Sequence, residues 1–202
     1  MARTPSTMML ELGSEAPTFT LPDYGAESAA GHQVSLNQIA APGGNTRPFV
    51  VMFICNHCPF VKHVRDQLAQ VGKDYAGRVG FVAINPNDVT NHPDDRPELM
   101  TVEAKAAGYP FPYLYDATQS AAKAYKAACT PDFFVFDKAR RLVYRGQLDD
   151  ARPGNGVPVT GCDLRAAIDA VLGGKASPTP QKPSMGCSIK WMNGNAPEYY
   201  SA

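Results

Sequence analysis

The chain has no surplus of charge of either sign: 19 lysines and arginines face 19 aspartates and glutamates, with 4 histidines besides. No basic stripe offers itself to a nucleic-acid backbone, and no basic amphipathic stretch to an anionic membrane surface. Long apolar runs are also missing, since nothing approaches the ~20 residues that span a bilayer. The opening MARTPSTMMLELG, residues 1–13, holds one early positive charge and no apolar stretch of signal-peptide length. These absences predict a cytoplasmic protein with neither nucleic-acid nor membrane partners.

Cysteine is scarce and its count is odd, 5 in 202 residues. That excludes the dense, even framework of a small secreted disulfide scaffold. In a reducing compartment, closely spaced cysteines are more often catalytic or metal-binding than structural. Hydrophobic residues make up 44% and charged residues 19% of the chain, enough for a core without disulfides or metals. The length fits one domain, residues 9–175. A flexible terminus, residues 1–8, precedes it, and a tail, residues 176–202, follows it and carries Cys187.

What is present is a change of period around two cysteines. Residues 48–54, PFVVMFI, form an apolar run with no polar alternation, the pattern of a strand buried on both faces. The run ends at Cys55. Beyond Cys58, Val61, Val64, Leu68, Val71 and Tyr75 recur at three and four residues, with Lys62, Arg65, Asp66 and Lys73 between them, which predicts an amphipathic helix. Residues 79–84, VGFVAI, are a second buried strand, so the three elements make a βαβ unit with parallel strands. A polar, proline-bearing loop over 87–97 leads to a helix over 98–107, a brief strand over 112–116 and a helix over 117–127. Strands at 133–136 and 142–146 form a hairpin, and a helix over 163–172 closes the domain. Asp149, Asp150 and Arg152, in the loop 149–161, read as solvated surface. The order predicts an α/β fold, a central mixed β-sheet flanked by helices, with an extended amino terminus and a tail.

The segment Cys55-Asn56-His57-Cys58-Pro59 therefore lies at the carboxyl end of a central strand, where sites of open α/β sheets gather. Its two sulfurs could be an inert pair, half of a metal site, or a pair that exchanges electrons. If Cys55 opens the helix, the unpaired amides and dipole of that end favour a thiolate there. Residues three apart share a helix face, so Cys58 would meet Cys55 from a more buried position and resolve a mixed disulfide. Pro59 suits the first turn, where its missing N–H costs nothing. A cationic His57 would lower the Cys55 pKa further. A zinc site wants four ligands, yet no second CxxC exists. His63 lies five residues past Cys58, and His32 and His92 are distant in sequence. The preferred reading is redox exchange at Cys55 and Cys58, without metal or organic cofactor.

The strand, CNHCP, the helix and TPDFFVFD at 130–137 resemble the thioredoxin superfamily. With LGSEAPTFTLPD at 12–23, VAINPND at 82–88, LVYRGQLDD at 142–150 and GCSIKW at 186–191, the chain is similar to a peroxiredoxin-like branch of the alkyl-hydroperoxide-reductase/thiol-specific-antioxidant (AhpC/TSA) group. The resemblance implies a thioredoxin-like fold in which Pro131 is a cis-proline facing the cysteine pair and Thr130 offers its backbone to an incoming substrate strand. It implies a thiol–disulfide oxidoreductase with an antioxidant role, acting on protein or small-molecule disulfides and served by an electron-donor thiol system. The alternative it leaves open is a thiol-dependent peroxidase acting on hydroperoxides, and a less favoured one is a metal-binding or redox-sensing module. It fixes no oligomeric state. One departure stands out. Peroxiredoxins carry P-x-x-x-T-x-x-C, and here Pro48 stands seven residues before Cys55 but Met52 takes the threonine position. Cys187 is either a third redox thiol that folds back on the pair or an idle thiol in a docked tail. Cys129, two residues before Pro131, is expected near the active face as a neighbouring thiol or a small core filler, and Cys162 as structural.

Overall fold

The computed structural model describes residues 3–200. In chain order these form β1 (Thr4–Pro5), β2 (Thr20–Asp23), β3 (His32–Ser35), α1 (Leu36–Ala40), β4 (Phe49–Phe53), α2 (Pro59–Asp74), β5 (Gly80–Asn85) and α3 (Pro97–Ala107). There follow β6 (Tyr113–Tyr115), α4 (Ser120–Ala124), β7 (Cys129–Thr130), β8 (Asp132–Phe136), β9 (Leu142–Gly146), α5 (Cys162–Leu172) and β10 (Met185–Ser188). A seven-stranded sheet has the order β3-β2-β6-β5-β4-β8-β9, and a three-stranded sheet has the order β1-β10-β7. The large sheet is mixed: β4 runs parallel to β5 and antiparallel to β8.

Every residue of β4 and β5 is buried. Side chains alternate across a strand, so an all-apolar strand must have a core on each face. Val50, Met52 and Ile54 pack with Val61, Val64 and Leu68 of α2 and Leu164 of α5. Phe49, Val51 and Phe53 pack instead with Leu36 and Ile39 of α1 and Ala122 of α4. The expected α/β class, with helices on both faces of a central mixed sheet, is the architecture seen.

Three local expectations meet a different geometry. The helix expected over 117–127 is only α4, because Gln119 (φ 61°) and Lys126 (φ 56°) adopt left-handed backbone on either side of it. Asp149 is not solvated: it is buried and accepts the amides of Ala151 (2.9 Å), Thr160 (2.7 Å) and Gly161 (2.6 Å), so its carboxylate organises the loop expected to be surface. Asp150 does face solvent and pairs with Lys182 at 2.6 Å, while Arg152 turns back to donate to the Asp149 carbonyl at 2.6 Å.

The expected flexible terminus over 1–8 contributes β1, which pairs antiparallel with Met185 and Gly186 of β10, and Met1 and Ala2 lie outside the described residues. Ser6 Oγ donates to Asp132 Oδ2 at 3.1 Å, which joins this segment to the strand after Pro131. The tail over 176–202 likewise enters a sheet, through β10.

Phe53 is wholly buried where β4 meets α4 and β8, with its ring against Tyr125 and Phe134. Phe53→Ala is expected to lower the unfolding free energy by about 3–5 kcal/mol in denaturant titration, the cost of a large cavity in a core that cannot collapse.

Candidate active site

The site begins where β4 ends. The Ile54 amide still bonds the Ile84 carbonyl at 3.0 Å, and the chain then leaves the sheet through Cys55, Asn56 and His57. Cys58 is the N-cap of α2, with extended backbone (φ −64°, ψ 122°), and Pro59 is the first helical residue. Cys55 therefore stands three residues before the N-cap, not at the helix start where it is expected. Both thiols are covered, at 1% and 0% exposure, so the expected contrast of an exposed Cys55 and a buried Cys58 is absent.

Thr130 touches both. Cys55 Sγ lies 3.3 Å from Thr130 Oγ1, and Cys58 Sγ donates to the Thr130 carbonyl at 3.2 Å. The Thr130–Pro131 peptide is cis, as the resemblance implied. The backbone edge of Thr130 is not open to an incoming strand, however, because β10 pairs with it antiparallel and places Cys187 opposite Thr130. The Cys187 sulfur and its backbone N–H both bond the Cys58 sulfur. Cys55, Cys58, Thr130, Pro131 and Cys187 thus meet at one point.

The three sulfurs divide their protons unequally. The Cys58 thiol is pulled down to about 2 by hydrogen bonds from Cys187 and from Cys55, against the cost of burial, with the amides of Val61 and Cys187 adding to the effect. The Cys55 thiol is pushed up by burial, then by its bond to Cys58 and the negative charge of Asp95. Cys187 is pushed up because its proton serves Cys58, and by burial. This reverses the expected order, chiefly because the Cys187 and Cys55 thiols donate to Cys58 while burial raises Cys55; the helix boundary adds a smaller effect, since an amide of the first turn of α2 reaches Cys58. The contact from Cys58 to the Thr130 carbonyl needs a protonated Cys58 and so conflicts with a thiolate there. We place the thiolate on Cys58, because two thiols and two amides converge on it while the Thr130 hydroxyl alone favours charge on Cys55. The other arrangement, a Cys55 thiolate held by the Thr130 hydroxyl and a Cys58 thiol on the Thr130 carbonyl, lies one proton transfer away.

Asp95, read from sequence as part of a plain loop, holds the cysteine loop in place. Its wholly buried carboxylate accepts the Asn56 amide at 2.8 Å, the His57 ring Nδ1 at 2.6 Å and the Asn87 side-chain amide at 2.7 Å. Burial disfavours its charge, but these donors and the His57 charge outweigh burial and leave the carboxyl below its ordinary value. His57 is raised, chiefly by the bond to Asp95, with burial working against it. His57 therefore spends its positive charge on Asp95 and does not depress Cys55. Tyr113 Oη donates to Asn56 Oδ1 at 3.0 Å and fixes the loop from below. His92, distant in sequence, stacks on His57 with ring centroids 5.6 Å apart, and burial and the His57 charge lower its pKa.

Cys55 Sγ, a His57 ring nitrogen and an Asp95 carboxylate oxygen lie within 4.8 Å of one another, the group among the described residues that could hold a metal ion. Met52 is buried in β4 opposite Phe133 and supplies no hydroxyl to this loop. Cys129 is buried, its thiol pushed up by burial and donating to the Pro131 carbonyl at 3.7 Å. Cys162 is exposed at the start of α5. Among the described residues no cysteine is in a disulfide. Asp132, the residue after Pro131, is wholly buried and its carboxyl is raised to about 7 by burial, offset in part by the neighbouring Ser6 and Ser184 hydroxyls and the Phe133 amide.

Two titrations follow. In NMR, His57 is expected to titrate above the ordinary histidine value, and Asp95→Asn to bring it down toward about 6.5. Asp132 is an acid with a raised folded-state value. Its native form keeps a proton that the unfolded chain loses above 3.8, so stability falls as pH rises from there to about 7. Asp132→Asn is expected to remove that fall, on the order of 4 kcal/mol, when unfolding free energies of the two proteins are compared across this window.

Comparison with known proteins agrees with the architecture. A crystal structure of an uncharacterized conserved protein from Geobacillus kaustophilus is similar over 95% of this chain and 97% of its own, at 52% identity and a TM-score of 0.87. A hypothetical protein from Sinorhizobium meliloti 1021 is similar over 92% of this chain and 97% of its own, at 53% identity and a TM-score of 0.84. The thioredoxin domain of a thiol-disulfide oxidoreductase from Bacteroides vulgatus shares the fold at 17% identity, covering 67% of this chain and 88% of its own with a TM-score of 0.53. No curated protein matches the chain. The fold is thioredoxin-like, and residues 12–145 match the AhpC/TSA family model. The chain belongs to the AhpC/TSA family.

Proposed function

We propose that the protein is a thiol–disulfide oxidoreductase with an antioxidant role whose exchanging pair is Cys55 and Cys58. The observation that carries this reading is the Cys58 sulfur at the N-cap of α2, bonded to the Cys55 thiol and gathering donors suited to a thiolate. Family membership and the fold support redox chemistry of this general kind.

The two sulfurs divide the work. The Cys58 thiolate takes the Cys55 proton as the Cys55 sulfur attacks one sulfur of a disulfide, forming a mixed disulfide and releasing the first product as a thiolate. The proton on Cys58 then rests against the Thr130 carbonyl at 3.2 Å. Cys58 next attacks Cys55 Sγ, its proton passes to the second leaving sulfur, and a Cys55–Cys58 disulfide remains. Two electrons move to the substrate, and a donor thiol system restores the dithiol. Thr130 and Pro131 position this exchange, with His57 and Pro59 shaping the loop and the helix start. No metal or organic cofactor enters the scheme, and a cytoplasmic setting, where thiols stay reduced, belongs to the same proposal.

A second reading has its own observation. Because β10 fills the Thr130 edge, a small oxidant fits this site more readily than an extended peptide. A hydroperoxide would oxidise Cys55 to the sulfenic acid, and Cys58 would condense with it, releasing water.

Wild type, Cys55→Ser and Cys58→Ser should be compared on a small aromatic disulfide, on insulin and on an organic hydroperoxide. Wild type is expected to reduce the small disulfide, and each serine variant to lose turnover by orders of magnitude. Hydroperoxide loss with the disulfides untouched would select the peroxidase. Activity on none of them, or stoichiometric metal in the purified protein, would favour the sensor or metal-binding module.

A further inference from the structure

The tail is seated where the fold would receive a partner strand. β10 pairs antiparallel with β7, Cys187 opposite Thr130 and Ser188 opposite Cys129, and the Ile189 amide extends the ladder to the Ala128 carbonyl at 3.0 Å. The approach is closer than any side chain allows: a Cβ on Gly186 would stand 2.0 Å from the Thr130 carbonyl oxygen. The strand is held on both sides of this contact. Ser184 Oγ donates to the Gly146 carbonyl at 2.5 Å before it, and the Lys190 amide donates to Asn87 Oδ1 at 2.8 Å after it. Cys187 thus reaches the Cys58 sulfur through both its thiol and its amide, and Cys55 bonds the same sulfur.

We propose that β10 is an internal substrate strand, and that Cys187 is a third catalytic thiol that takes the disulfide over from Cys55. The proposal rests on the reading of Cys55 and Cys58 as the exchanging pair. Once these two are joined, Cys187 attacks Cys58 Sγ. The Cys58–Cys187 bond forms, the Cys55–Cys58 bond breaks, and Cys55 leaves as a thiolate that receives the Cys187 proton. The step is an isomerisation: one disulfide replaces another, with no net gain or loss of electrons and no further oxidant. Its product carries the oxidised bond on the tail strand and returns Cys55 to the thiol form. An extended protein substrate meets an edge already filled and must displace β10 to use it.

The test uses the full chain. Reduced wild type receives one equivalent of a small disulfide oxidant, is acid-quenched, alkylated and digested, and its cross-links are mapped by mass spectrometry. The expected result is a Cys58–Cys187 cross-link with Cys55 alkylated, and a Cys55–Cys58 cross-link in Cys187→Ser. A wild type that yields only Cys55–Cys58, with Cys187 fully alkylated, overturns the transfer and leaves the exchanging pair intact. A chain in which Cys58 enters no cross-link overturns both.

Discussion

The Cys58 sulfur is the point on which the rest of the site depends. It caps α2, and the first-turn Val61 amide, the Cys55 thiol and both polar groups of Cys187 converge on it. Hydrogen bonds to a charged form favour that form, and their effect grows where water is excluded. Each neighbouring element serves this convergence. The buried β4 delivers the cysteine loop to the end of the sheet, β7 places Thr130 against both sulfurs, and β10 brings the third thiol.

A buried thiolate needs surroundings that neither flood it with water nor add negative charge nearby. Asp95 is such a charge, and it raises Cys55. His57 answers it at 2.6 Å, and amides from Asn56 and Asn87 share the load. The His57–Asp95 pair is close to electrically neutral as a unit, so it fixes the loop without dominating the sulfurs. Asp132 performs a comparable task on the far side of Pro131, where it ties the amino-terminal segment to β8 through Ser6. Its raised carboxyl marks the cost of burying charge beside the strand that carries Thr130.

The parts of this arrangement written in local pattern were legible in the sequence. The run from Pro48 to Ile54 and the spacing from Val61 to Tyr75 fix β4 and α2, because an apolar strand and an amphipathic helix declare themselves by period. The helix boundary is written there as well, at Pro59 and not at Cys55. A residue before proline avoids helical backbone, so Pro59 makes Cys58 the N-cap and gives it the first-turn Val61 amide, while the larger share of its thiolate character comes from the Cys187 and Cys55 thiols. Asp95 was not legible, since its burial comes from the packing of the 87–97 loop over the end of β5 rather than from any periodicity. The one available hint was Asn85-Pro86-Asn87 at the carboxyl end of a strand parallel to β4, the place where site residues collect. The role of β10 was hidden for the same reason: Met-Gly-Cys-Ser carries no strand alternation, and its partner lies far away in the chain.

The central claim is that Cys58 holds a thiolate within a cluster of three sulfurs, and the ultraviolet thiolate absorbance of the reduced protein against pH tests it most directly. The account predicts that one thiolate per chain persists well into the acid range in wild type, and that its midpoint moves upward in Cys187→Ser, which removes the largest donor. A wild-type signal that disappears on descending through the ordinary cysteine range, about 8.5, with no thiolate left at neutral pH, would contradict it.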